Sequence, residues 1–283
     1  ADKFETLFRQ SDFLATWKRL DKVGGVATWK RFNRIAIESL AGFVDQIDAV
    51  LPKYTLNGKP LNREEFMALI KKYDPKVPGA DADKLLKPEE LLYLRQVRLE
   101  LHKMNPLSEN TVFQKTLNFF EENGLEEYIS NMNGKNKMQV GGSIILASDA
   151  KHFKTPKEIY DGQAMGYRNS PFGENAFESK TYYQIRYLTN DYANAKIPVS
   201  GISSADFDDF VKRNGGGNVY VATVNSSPFT GNGHVPGAPE LLAVDRQTVS
   251  EALIVKISPD GTEVPVAVTV VDKDTKKLRF EVL

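Results

Sequence analysis

The chain has 283 residues, room for two modest domains or one large one, and 41% of them are hydrophobic, enough for a core. Lysine plus arginine and aspartate plus glutamate balance at 37 each, so no net field draws the chain to nucleic acid or to a membrane surface. With no cysteine, disulfides, thiolate metal sites and a cysteine nucleophile are excluded, and no apolar run is long enough to span a membrane.

The first ~130 residues carry apolar residues at helical intervals. Phe4–Leu20 is the first predicted helix. Within it, Ala15-Thr16-Trp17-Lys18-Arg19 is echoed by Ala27-Thr28-Trp29-Lys30-Arg31, with Gly24-Gly25 between the copies. Twelve residues is too short a period for a solenoid unit, so the echo predicts two similar helix segments, each burying a tryptophan. Further helices are predicted at Arg34–Leu51, Asn62–Tyr73, Pro88–Met104 and Ser108–Asn123. Asn62 with Glu64 and Glu65, and Pro88 with Glu89 and Glu90, are start signals; Asn123-Gly124 is a stop signal. The acidic segment 74–83 lacks calcium-loop spacing, and His102, His152 and His234 lack zinc-site spacing, so no metal is expected.

Composition changes at 131–142, NMNGKNKMQVGG. Beyond it strands are predicted at Ser143–Ala147, Lys180–Leu188, Lys196–Ser200, Asn218–Asn225, Ser250–Ile257, Val264–Asp272 and Lys277–Val282, with helices at Pro156–Asp161 and Ser204–Asn214. The expected fold is α+β: a helical domain over 1–132, then a mainly antiparallel domain of two packed sheets over 141–283. A chain that begins at Ala1 is expected to be a processed or excised piece, and freedom from cysteine suits export or unfolding on delivery.

Three segments carry chemistry. SIILASD (143–149) is an apolar strand that ends in small and acidic residues, and Pro156-Lys157-Glu158-Ile159-Tyr160 starts a helix soon after. Ser200-Gly201-Ile202-Ser203-Ser204 is a strand end of small residues before a helix, where Ser203 or Ser204 fits an N-cap. Val249-Ser250-Glu251 places a carboxylate near the start of a strand. In this order the pattern resembles the mono-ADP-ribosyltransferases of the cholera and pertussis toxin branch, over about residues 141–257.

The resemblance implies an ADP-ribosyltransferase-like second domain that consumes NAD as substrate. It implies Glu251 as the catalytic glutamate, Ser200 as the residue that orients it, and Ala147, Asp149, Ser200 and Ser203 around the dinucleotide. A carboxylate is what the chemistry needs, because breaking the nicotinamide–ribose bond puts positive character on the ribose. The family's arginine falls at Ala147, or at Leu146, where no guanidinium stands. Three explanations stay open: an inactivated variant, a natural pseudoenzyme, or an arginine that is Arg168 or Arg186. Val249, where arginine-modifying members carry Glu or Gln, points away from arginine as acceptor. The loop Ser226–Thr248 is expected beside a macromolecular acceptor or, failing that, as plain surface. The whole then reads as a secreted or delivered toxin or effector, silent if position 147 is essential, with a helical half for a carrier, chaperone or target. The alternative is a non-enzymatic two-domain binding or structural protein.

Overall fold

The computed structural model describes residues 11–38, 42–72, 85–134, 138–166, 170–173, 180–199, 204–214, 218–223 and 238–283. The first elements are α1 (Ser11–Val23) and α2 (Val26–Glu38), a helical hairpin. Then come α3 (Phe43–Val50), α4 (Arg63–Ile70) and α5 (Pro88–Met104). These three bury Ile47, Phe66, Leu69, Tyr93, Leu94 and Val97 in a helical core of their own. Asn62 starts α4 as a capping box: its side chain accepts from the Glu65 N–H while the Glu65 carboxylate accepts from the Asn62 N–H.

The expected continuous helix over Arg34–Leu51 is interrupted, since α2 ends at Glu38 and α3 begins at Phe43. Gly42 stands just before α3 where a Cβ would meet the Ser148 carbonyl oxygen at 2.6 Å, so only glycine allows that approach. The expected helix Ser108–Asn123 is replaced by strand β1 (Phe113–Thr116), then α6 (Glu122–Asn133). β1 is hydrogen-bonded on both sides, with Phe113 opposite both Leu146 and Tyr187. Two ladder partners override a local helical pattern.

Beyond α6 the order is β2 (Gln139–Leu146), α7 (Ala147–Ala150), α8 (Pro156–Gly162), β3 (Tyr182–Thr189) and β4 (Ala195–Val199). Then follow α9 (Ser204–Asn214), β5 (Tyr220–Ala222), β6 (Leu241–Ile257), β7 (Glu263–Val271) and β8 (Leu278–Val282). The expected Ser143–Ala147 strand ends one residue earlier, because Ala147 opens α7. The expected loop over Ser226–Thr248 is half corrected: 241–248 is strand, and 226–237 lie outside the described residues.

The strands form one eight-stranded sheet rather than two stacked sheets, antiparallel except where β4 runs parallel to β5. Its organiser is β6. The first half of β6 pairs with β2 and β4, and the second half with β3 and β7. Because β2 also pairs with β1 and β1 with β3, the sheet closes into a small barrel through β2, β1, β3 and β6. Phe113, Tyr187, Ile185, Ala252 and Ile254 fill the inside.

Burial along β6 follows from its partners. In the first half Leu241, Ala243, Gln247 and Val249 are buried as in a strand with one face in water, and the run Val244 to Arg246 is exposed where the register with β2 slips. The second half is buried on both faces from Ala252 to Val255. Ala252 and Ile254 face the barrel, whereas Leu253 and Val255 meet Leu20, Phe32 and Ile35 of the hairpin. The helical and sheet regions are thus joined: β1 comes from within 1–132, and the hairpin covers β6 and β7.

Candidate functional site

β2 and β4 flank the start of β6, with Ile144 opposite Leu241 and Lys196 opposite Leu242. Both run antiparallel to β6, so both leave the sheet toward Glu240, the residue that leads into β6. Glu240 is 2% exposed. Behind it lies Arg98 of α5, 4% exposed, whose Nη2 donates to the Glu240 carbonyl at 3.4 Å. Burial draws Arg98 down to about 10, opposed by the charges of Asp149, Tyr220 and Glu240, so the guanidinium stays cationic at neutral pH. Asp149 of α7 is itself 5% exposed. Arg98, Asp149 and Glu240 are therefore one buried charge cluster at the meeting of three strand ends.

Lys115 of β1 is a second cation near Glu240. Burial pushes its ammonium below the ordinary value while the Glu240 charge pulls it back, and its Nζ donates to the Ser143 carbonyl at 2.9 Å. Gly142 allows this. Its φ of +78° is a conformation that side chains disfavour, and the β2–β6 register slips between Val140 and Gly142. Lys115, Ser143, Gln163, Glu240 and Arg246 line a cavity of about 670 Å³. The Gln163 side chain accepts from Thr116 at 2.9 Å, and its buried Nε2 has no hydrogen-bond partner among the described residues. His102, one turn beyond Arg98 on α5, is pushed down to about 4 by burial and by the charges of Arg98 and Lys196.

Among the described residues, those expected to form the site separate. Glu251 faces the hairpin, where its Oε2 accepts from Arg31 Nη1 at 3.1 Å; Arg31 Nη2 donates to Asn110 at 3.3 Å. Its neighbour across the ladder is Leu188 of β3, not β4. β4 meets β6 at Ala243, eight residues before Glu251 (251 − 243), about 26 Å along the strand at ~3.3 Å per residue. On the flank of β6 at Glu251 the paired strand is therefore β3, and Ser200, expected to brace Glu251, is not among the described residues. Ser203 and Arg168 lie outside the described residues as well. Leu146 and Ala252 stand in one row across β1 and β3, so the end of β2 and Glu251 are three strand spacings apart, about 14 Å measured along the curved sheet. Ala147 donates its N–H to the Val112 carbonyl at 2.9 Å and lines a different cavity, together with Arg186. Of the expected residues that are described, only Asp149 falls in the buried cluster.

Sequence reasoning passed over Glu240, Arg98 and Lys115. Two signals were present. Pro239-Glu240-Leu241-Leu242-Ala243-Val244 is an acid that opens an apolar strand, the same signature as Ser250-Glu251. Arg98 lies at helical spacing from Leu94 and Leu101, on the apolar stripe of α5, where a charge needs a buried partner. Among the described residues no group of His, Cys, Asp and Glu side chains could hold a metal ion, and no helix is long and apolar enough to cross a membrane. Compared with known proteins, the chain matches no family model, no curated protein and no solved structure.

Proposed function

We propose that the chain consumes NAD by ADP-ribosyl transfer to a macromolecular acceptor, and that the reactive carboxylate is Glu240 rather than Glu251. The observation that carries this reading is the buried Glu240 at the convergence of β2, β4 and β6, lining a cavity with Lys115 and Arg246. The cavity, at about 670 Å³, falls in the range of about 300–1,000 Å³ usual for small-molecule sites.

The chemistry assigns each residue a role. When the nicotinamide–ribose bond breaks, its electron pair leaves with the nicotinamide and positive character develops on the ribose. A carboxylate fixed at a buried position stabilises that charge better than water does. The acceptor's nucleophile then bonds to the same ribose carbon, and its proton passes to Glu240 or to solvent. Lys115 and Arg246 are the cations available to the pyrophosphate, and the open Gln163 Nε2 is a donor for a carbonyl or hydroxyl of the ligand. Arg98 does not line the cavity. It is a positioning residue that holds the start of β6 and compensates the buried carboxylates. In this reading the cation does not have to stand at position 147.

A non-enzymatic binding or structural role is favoured by one feature, the mutual neutralisation of Arg98 with Asp149 and Glu240, which a purely structural cluster would also show. Nicotinamide release from NAD, with water as acceptor, separates the two. Glu240→Gln is expected to lower the rate by about 100-fold or more, while Glu251→Gln leaves it unchanged. A Glu240→Gln protein as active as the parent removes Glu240 from the reaction. A folded parent that neither binds NAD nor releases nicotinamide supports the binding or structural role instead.

A further inference from the structure

A second cavity, of about 920 Å³, lies between the N-terminal hairpin and the outer face of the sheet. Trp29 and Phe32 of α2 line one wall, and Leu253 and Val255 of β6 line the apolar part of the sheet face. On β1 and β3 that face is polar instead. Gln114 and Gln184 are 3% and 1% exposed. Arg186 joins them: its Nε donates to Gln114 Oε1 at 3.0 Å, and its Nη2 donates to Glu263 Oε1 at 2.8 Å and to Gln184 Oε1 at 3.4 Å. Gln184 in turn donates to Thr116 at 3.1 Å.

Such a row is costly to bury, and apolar residues would seal the hairpin onto the sheet more cheaply. The row leaves one fork of Arg186 open. Nη1 makes no hydrogen bond among the described residues, and the side chain is 24% exposed. The charge of the wall is also one-sided: among its described lining residues Arg186, Lys151 and Lys154 face a single carboxylate, Glu263. Lys151 is shared with Asp45 at 3.0 Å, Lys154 Nζ donates to the Lys151 carbonyl, and Arg186, although paired with Glu263, keeps its Nη1 open.

We propose that this cavity is a ligand site distinct from the Glu240 cavity, and that it takes a planar aromatic molecule bearing an acidic group. The ring lies against Trp29 and the apolar strip of β6. The acidic group accepts from Arg186 Nη1, and the two carboxamides hold the guanidinium in place. Gln114 lines both cavities, so the two sites share a wall.

The test reads Trp29 directly. The chain has two tryptophans, so Trp17→Phe leaves Trp29 as the sole fluorophore of its kind. Adenosine monophosphate and benzoate are titrated separately, which distinguishes phosphate from carboxylate as the acidic group; adenosine and inorganic phosphate serve as the halves. A saturable change in Trp29 emission with at least one of the two anions is expected, with each half weaker. Arg186→Gln is expected to weaken binding by at least about tenfold, the loss of one charge-assisted hydrogen bond. Ala147→Phe fills the cavity from its rim without touching the polar row, and is expected to abolish binding while circular dichroism and melting stay like the parent's. If Arg186→Gln does not fold, Ala147→Phe carries the test alone. No saturable change with either anion overturns the proposal, as does full affinity in either folded variant.

Discussion

β6 sets two glutamates against each other. Glu240, at its entry, is 2% exposed and sits against Arg98, itself 4% exposed. Glu251, in its second half, has a side chain 27% exposed and pairs with Arg31, whose side chain is 37% exposed. Residue type is the same and one strand carries or follows both; desolvation differs. At Glu240 water is gone, so every charge must be balanced by protein, and any imbalance costs several kcal/mol. At Glu251 water screens the pair and makes it worth little. A carboxylate that must act on a developing cation needs the first environment, which is why the entry of β6 rather than its middle draws the chemical reading.

The contrast can be broken most sharply through Arg98. Arg98→Met leaves Asp149 and Glu240 buried without their guanidinium, and is expected to cost about 3–5 kcal/mol of stability. The denaturant midpoint reads this. Replacing Asp149 and Glu240 by leucine in the same chain is expected to recover most of the loss. If the single change costs less than about 1 kcal/mol, the cluster is wetter than its burial indicates.

A smaller effect comes through His102 on the same helix. Its folded pKa, about 4, lies below the ordinary 6.5, so the unfolded chain takes up the proton first as pH falls. The native state is therefore undisturbed above pH ~6.5 and loses stability between ~6.5 and ~4, by about 2–3 kcal/mol at the lower end. Denaturation at pH 7, 6, 5 and 4 is expected to show a steeper loss in the parent than in His102→Gln. Equal slopes would mean that the imidazole is hydrated in the folded chain.

The smallest effect belongs to the other glutamate. Glu251→Gln and Arg31→Gln are each expected to shift stability by less than about 1 kcal/mol, and the double change by no more than the larger single one. Values near those of Arg98→Met would make the entry and the middle of β6 energetically alike and remove the contrast.

Much of the fold was legible. α5 and α9 occupy the residues their patterns marked, Pro88–Met104 and Ser204–Asn214. α8, β3, β7 and β8 agree to within a residue or two, because turn signals and periodicity are local properties of the chain. β1 was not legible: Phe113-Gln114-Lys115-Thr116 is strand only because β2 and β3 stand on either side of it. The first half of β6 was read as loop, since Asp245-Arg246-Gln247 lacks an apolar pattern on its wet face. Glu251 drew the catalytic assignment by its place in a motif, whereas Glu240 carried the same acid-then-strand signature and was passed over.

The sequence by itself determined α4, α5, α8 and α9, most of the strands, the even charge balance and the exclusion of cysteine chemistry. These follow from backbone preference and composition, which do not depend on what lies across the fold. Only the tertiary structure decided that the sheet closes on itself, that Glu251 turns toward Arg31, and that Arg98 and Asp149 meet behind Glu240. Those outcomes rest on strand register and on which charges lose their water together, and both are set by residues far apart in the chain.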